Sequence, residues 1–302
     1  MQTECLVQGG VDTTLAVKIR FLHLMTRLVG ELDRPCAELP GSAEPAFRVV
    51  ERLQVGDRLL LAWQEAVERD HSLRDLALPS LGAAPRRSDF AFPASRQLEP
   101  VRGPSGEIVA VLVREQHDVA GRIEVSATPA ASEEGLYKLS VRVENLTPID
   151  DAARRSRDDA LLCSLVSTHS ILGVSAGEFV SLLDPPGRWS ALAASCQNVG
   201  TWPVLVGEAG EKDTMLSAPI ILYDYPQIAP ESPGDLFDSA EIDEILTLRI
   251  LTLTDPEKQV AAAVDERVRA LLHRTEALSE NQLLGLHGTV RGLSAVSEGG
   301  LP

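Results

Sequence analysis

The stretch LYKLSVRVEN, at Leu136–Asn145, is the segment whose secondary structure this sequence predicts most clearly. Apolar and polar residues alternate along it with a period of two, which is typical of a β-strand with one buried face. The apolar positions are Tyr137, Leu139, Val141 and Val143. We therefore expect Leu139 and Val141 to point into a hydrophobic core.

Similar patterns lie on the N-terminal side of this strand. Strands are predicted at Val17–Leu24, Glu107–Arg114 and Gly121–Thr128. A β-hairpin is predicted around Gly56-Asp57, joining Phe47–Val55 to Arg58–Val67. Such alternation favours an antiparallel sandwich with one solvated face. Residues 1–150 are therefore predicted to form a β-rich domain.

Beyond a charged junction at residues 148–157, the apolar spacing changes to that of helices. A helix is predicted from Asp158 or Asp159 to about Leu172, because carboxylates in a first turn suit the helix dipole. Capping sequences also predict helices near the end of the chain. The remaining predictions are buried strands at Trp202–Val206 and Pro219–Tyr223, and helices over Ile242–Leu253 and after Thr254–Glu257.

The predicted fold class is therefore α+β, with an N-terminal β-sandwich-like half followed by a mixed α/β half that ends in helices. A chain of 302 residues exceeds the usual size of a single core and suggests two domains. We place the β-rich domain at residues 1–150 and the mixed domain at 158–292. Residues 293–302 are expected to be a frayed tail.

Composition excludes several classes of function. The net charge of −16 argues against nucleic acid or an anionic membrane surface as the main partner. The four cysteines form no CxxC or Cys/His pair at zinc spacing, and the longest apolar runs are too short to span a bilayer. The N-terminus lacks the apolar core of a signal peptide. We expect a soluble cytoplasmic protein without a cofactor.

His169 is the candidate catalytic residue. It is predicted near a helix end, where the dipole would raise its basicity while burial lowers it. A core histidine bonded to a backbone carbonyl is the competing interpretation. Cys196 as a nucleophile, with His169 as base and Asp184 as orienter, is a further alternative. A cysteine at a helix C-terminus is more typical of an inert thiol.

The candidate binding segment is acidic and aromatic. From Tyr223 to Glu244 there are seven Asp or Glu and no Lys or Arg. Aromatic and proline residues there would give a rigid surface with a large contact area. Two alternatives are a small core filled by the aromatics and a hard-cation site made by the carboxylates, although the spacing is not an EF-hand. The candidate binding residues are Trp202, Tyr223, Asp224, Tyr225, Glu231, Asp235, Phe237 and Asp238.

Two long phrases carry a resemblance to a known family. They are SAPIILYDYPQIAPESPGDLFD at Ser217–Asp238 and EIDEILTLRILTL at Glu241–Leu253. Together with flanking sequence they resemble a family of uncharacterised bacterial proteins associated with gene clusters for uptake-type NiFe hydrogenases in actinobacteria and related bacteria. The resemblance covers roughly residues 107–290. It implies a hydrogenase-associated role but supplies no catalytic residues. The chain lacks the paired CxxC motifs of a hydrogenase subunit.

Two functional hypotheses follow. The first is a non-enzymatic accessory or assembly protein that binds another protein, with a hydrogenase subunit or maturation factor as the partner that the resemblance implies. The second is a hydrolase-type enzyme that uses His169 with carboxylates and a divalent metal. The two differ in whether His169 and at least two of Asp224, Glu231, Asp235 and Asp238 meet in one pocket.

Overall fold

A computed structural model describes residues 1–40, 44–130, 133–227, 250–264 and 266–277 of the chain. Strands make up 54% of the structure and helices 16%. The predicted α+β class is therefore wrong, and the protein is mostly β. The strands are β1 Gln2–Cys36, β2 Phe47–Val50, β3 Arg52–Val55, β4 Arg58–Leu61, β5 Trp63–Ala77, β6 Arg86–Phe92, β7 Ser95–Arg102, β8 Ile108–Gln116, β9 Val119–Pro129, β10 Leu136–Asn145, β11 Val166–Val180, β12 Trp202–Leu205 and β13 Thr214–Ala218.

The helices in the described ranges are short. They are α1 Leu78–Leu81, α2 Arg157–Leu162, α3 Ser190–Ala194, α4 Asp255–Val264 and α5 Glu266–Glu276, with 3-10 turns at Ala152–Arg154 and Gly187–Trp189. The predicted cap of α4 is confirmed: the Glu257 carboxylate accepts a hydrogen bond from the Thr254 backbone N–H at 2.8 Å. No helix in these ranges is long and apolar enough to cross a membrane.

The 35-residue strand β1 organises an antiparallel sheet of eleven strands. One edge of β1 pairs with β10 at Gln2–Gln8 and then with β5 at Thr14–Arg27. Its other edge pairs with β11 and then with β8. The far side of the sheet runs from β11 through β13 to β12, which is an edge strand. All of these pairings are antiparallel, and over much of its length β1 is paired on both edges.

The helix predicted from Asp158 to Leu172 is wrong beyond Leu162. Helix α2 is capped by Ser156, whose hydroxyl accepts from the Asp159 backbone N–H at 3.1 Å, and it ends at Leu162. From Val166 the chain is a strand, in which β-branched residues fit a pleated surface better than a helix. The predicted strand at Pro219–Tyr223 is also wrong, because β13 ends at Ala218.

The chain divides into two compact units. The first comprises Met1–Gly56 and Leu61–Pro226, and the second comprises Asp57–Leu60 and Gln227–Pro302. The division predicted between residues 150 and 158 falls inside the first unit, where β10 and β11 both pair with β1. In the second unit α4 is joined to α5 by an ion pair between Lys258 and Glu276 at 3.1 Å. Residues 242–249 of the predicted helix over Ile242–Leu253 and the tail at 293–302 lie outside the described residues.

The main core of the first unit is one large buried cluster. Cys5, Val7, Val17 and Phe21 of β1 belong to it, together with residues of strands β5, β6, β9, β10, β11, β12 and β13 and of helix α1. Leu139 and Val141 are fully buried in it, so the predicted buried face of β10 is confirmed. A smaller cluster on the opposite face contains Leu6, Leu136, Val180, Trp189 and Ala193.

Two histidines make the stability of the fold depend on pH. His23 is fully buried on β1 and His71 packs against Phe90, and burial lowers the pKa of both imidazoles below the ordinary value. The folded state therefore binds fewer protons than the unfolded state at mildly acidic pH. Their contribution to stability is complete above the unfolded pKa, about 6.5, and is lost as the pH falls towards the folded values.

We expect the free energy of unfolding of the wild-type protein to fall between about pH 6.5 and pH 5. The double variant His23→Gln/His71→Gln should start lower in stability but decline less over this range. Urea denaturation at a series of pH values measures both slopes. Equal slopes in the two proteins would show that these imidazoles do not titrate differently on unfolding.

Candidate functional site

A buried hydroxyl network fixes the edge strand β12 to the rest of the sheet. The Ser217 hydroxyl lies 2.7 Å from that of Thr3 and 2.6 Å from that of Thr201. All three side chains are almost completely buried. Because a buried hydroxyl is costly without a partner, this network holds β1, β13 and the start of β12 in one arrangement. The surface around β12 is therefore built on a rigid base.

Asp224 closes the outer edge of β12. Its carboxylate accepts the Leu205 backbone N–H at 2.8 Å and also the hydroxyl of Ser181. The Tyr225 backbone N–H donates to the Leu205 carbonyl at 2.7 Å. Pro203, in the same strand, has no N–H to offer. The edge is thus protected against addition of another strand, and both Asp224 oxygens are engaged within the chain.

Exposed apolar side chains lie at the start of this edge strand and along the segment that returns to its outer edge. Trp202 pairs with Ala218, and the segment after Ala218 runs from there to the outer edge of β12 at Leu205. Along that segment Ile221 is 75% exposed and Tyr223 is 83% exposed. We call this surface the edge patch. It consists of Val199, Trp202, Ile220, Ile221 and Tyr223, all exposed.

A pocket of about 310 Å³ lies beside the edge patch. Asp224 and Tyr225 line it, and the Tyr225 hydroxyl donates to the Glu211 carbonyl at 2.8 Å. Tyr225 has a left-handed φ of 55°, which turns the chain back towards β12. Two of the predicted binding residues therefore shape this pocket, while Trp202 and Tyr223 belong to the adjoining surface.

His169 lies elsewhere in the fold. It is in strand β11 opposite Arg20, half-buried, with Nδ1 3.3 Å from the Ser167 carbonyl oxygen. It is absent from the lining of the pocket that contains Asp224. Glu231, Asp235, Phe237 and Asp238 lie outside the described residues, so the convergence of all these groups stays a prediction.

Cys196 follows the short helix α3. Its thiol lies 3.7 Å from the Leu192 carbonyl oxygen, and burial raises its pKa to about 11. A thiol with a raised pKa is a poor nucleophile at neutral pH. Among the described residues no group of three or more His, Cys, Asp or Glu side chains is arranged to hold a metal ion.

Sequence reasoning missed Val199, Ile220 and Ile221. Ile220 and Ile221 were missed because a buried strand was predicted at Pro219–Tyr223, since an apolar run usually signals burial. Pro219 is a signal that strand β13 ends at Ala218, because proline has no N–H to donate to the sheet. A scan against protein-family models finds no match for this chain, and a search of curated proteins finds none either.

Proposed function

We propose that this chain is a non-enzymatic accessory protein that binds a second protein through the edge patch. The proposal is carried by the exposure of Trp202 on the edge strand and of Ile221 and Tyr223 on the segment that joins β13 to the outer edge of that strand. Contiguous exposed apolar side chains are characteristic of protein-binding surfaces. Tryptophan and tyrosine are also over-represented among the residues that dominate binding energy.

The negative charge of the chain indicates what kind of partner would bind this surface. The chain has a net charge of −16, and seven carboxylates follow Tyr223 within the segment ending at Glu244. A partner with an apolar centre and a rim of Lys and Arg would complement it and associate faster at low salt. Nucleic acid is negatively charged, so a chain of net negative charge would repel it. The family resemblance at Ser217–Asp238 suggests a hydrogenase subunit or maturation factor as that partner.

We also propose that the protein works in the cytoplasm. All four cysteines are free thiols in the structure. Free thiols throughout a chain are usual where glutathione and thioredoxin keep cysteines reduced.

The double variant Trp202→Ser/Tyr223→Ser tests the proposal. The tagged wild-type chain is used to capture partners from its native host, and the proteins captured are identified by mass spectrometry. We expect the double variant to lose the specific partner, and its affinity for that purified partner to fall at least about tenfold, since one central aromatic residue contributes about 2 kcal/mol. Isothermal calorimetry measures the affinity.

The matched control is Val11→Ser/Val49→Ser. Both valines are exposed but lie outside the edge patch. Equal loss of binding in the control, or full binding by the Trp202/Tyr223 variant, would contradict the proposed function. Specific capture of proteins other than hydrogenase subunits or maturation factors would leave the binding surface standing and remove the hydrogenase association.

A further inference from the structure

The pocket beside the edge patch has a buried apolar floor. Phe179 is completely buried, and Leu205 and Trp189 are nearly so. Within the part of the chain that the structure describes, the buried indole N–H of Trp189 has no hydrogen-bond partner. One face of that ring is covered by the Arg188 guanidinium, 4.4 Å from the ring centroid. The floor therefore offers apolar contact area for a slender chain entering the pocket.

The rim of this pocket is polar and carries more negative than positive charge. Among the described residues that line it, the carboxylates are Glu178, Asp184 and Asp224 and the cation is Lys212. Lys212 is already paired with Glu178 at 3.6 Å, and Asp224 is engaged by Ser181 and Leu205. In the described part of the chain, the Asp184 side chain makes no ion pair or hydrogen bond that would occupy it. Of the three lining carboxylates, Asp184 is therefore the one that can bind a ligand.

The position of Asp184 is set without its side chain. The Ser181 hydroxyl accepts the backbone N–H of Asp184 at 2.9 Å and that of Leu183 at 3.2 Å, and itself donates to Asp224. The turn is therefore tied to the edge of β12 through the Ser181 hydroxyl and the Asp224 carboxylate, and the Asp184 side chain takes no part. Substituting the Asp184 carboxylate should leave this turn unchanged.

We propose that this pocket receives an arginine or lysine side chain of the protein partner. The aliphatic part of such a side chain would lie on the apolar floor while its charged end meets Asp184 at the rim. The aromatic ring of Tyr225 in the same lining adds a surface that attracts cations. This inference rests on the proposed function and names the partner residue that binds next to the edge patch.

The pocket and the edge patch are continuous along the chain. Tyr223 of the patch directly precedes Asp224 and Tyr225 of the pocket, and the exposed Leu183 directly precedes Asp184. A partner that covers Tyr223 would therefore place its neighbouring residues over the pocket. A basic residue in the apolar surface of that partner agrees with the negative charge of the chain.

The test uses N-acetyl-arginine amide as the probe and N-acetyl-citrulline amide as its uncharged isostere. Titration of the whole chain is followed by the amide NMR signals of Glu178, Val180 and Asp184. We expect saturable shifts with the arginine probe and none with the citrulline probe. The Asp184→Asn variant should bind the arginine probe about fivefold more weakly, the upper range for a partly exposed ion pair.

Asp12→Asn is the matched control, since Asp12 is an exposed carboxylate outside the pocket. It should bind the arginine probe as the wild type does. Absence of saturable shifts, equal shifts with citrulline, or equal weakening in both variants would overturn the inference. If the probe fails while Trp202→Ser/Tyr223→Ser still abolishes partner capture, only the pocket is rejected. If the probe binds but that variant captures the partner, the proposed function is rejected instead.

Discussion

Leu139→Ala should lower the melting temperature of this protein by about 5–15 °C. Leu139 is completely buried in β10, opposite Cys5 on β1 and Ala127 on β9. Truncating a buried leucine removes its transfer free energy and leaves a cavity, which together cost about 2–5 kcal/mol. A unit of this size loses about 2–4 °C for each kcal/mol. Differential scanning calorimetry measures the change.

Leu146→Ala is the control for that result. Leu146 follows the same strand but is exposed, so its truncation should change the free energy of unfolding by less than about 0.5 kcal/mol. Its backbone N–H donates to the Ala120 carbonyl, and this bond survives the substitution. If Leu139→Ala melts at the same temperature as Leu146→Ala, the assignment of the buried face of β10 is wrong.

The strand at Leu136–Asn145 was predictable because its pattern is local. Leu139, Val141 and Val143 are buried in one core while the polar residues between them are partly or fully exposed, so the alternation is visible without knowledge of its partners. The exception is Leu136, which is buried on the opposite face beside Trp189. Leu136 and Trp189 are more than fifty positions apart, and nothing in the sequence near Leu136 predicts that they belong to the same cluster.

Strand β11 was not predictable in the same way. Its N-terminal residues follow a true helix start at Ser156, and the leucines after it fit a helical stripe as far as Leu172. What makes Val166–Val180 a strand is the free edge of β1, which pairs with it over many residues. Long-range pairing overrides local propensity here, as is common for strands.

The candidate site was partly visible in the sequence. The scarcity of aromatic residues drew attention to Trp202 and Tyr223, and the structure places both on the surface. The sequence also marked Asp224 for its charge. It could not indicate that Leu205 and Ser181 occupy that carboxylate, because both hydrogen bonds depend on how the edge of the sheet is closed.

A large bulge in β1 lies where its pairing partner changes from β10 to β5. Residues Gly9 and Thr14 of β1 pair with Gly177 and Ser175 of β11, so the residues between them in β1 outnumber those in β11. Thr13 is completely buried in the bulge. Its hydroxyl donates to the Ala176 carbonyl at 2.6 Å and accepts the Gly10 N–H at 2.8 Å. Bulges of this kind bend a strand and increase its twist.

Gly177→Ala should therefore destabilise the fold by about 1–3 kcal/mol, the usual cost of overpacking a tight site. A Cβ atom at Gly177 would lie 2.7 Å from the Gln8 carbonyl oxygen and 3.0 Å from Thr13, and a paired backbone cannot move aside cheaply. Gly10→Ala is the matched control in the same bulge, since a Cβ there meets nothing within 4 Å. Urea denaturation compares the two. The bulge lies between the β10 and β5 pairings of β1, so a backbone shift that relieved the clash would disturb both pairings. Equal stability of the two variants would show that the bulge tolerates the added methyl group.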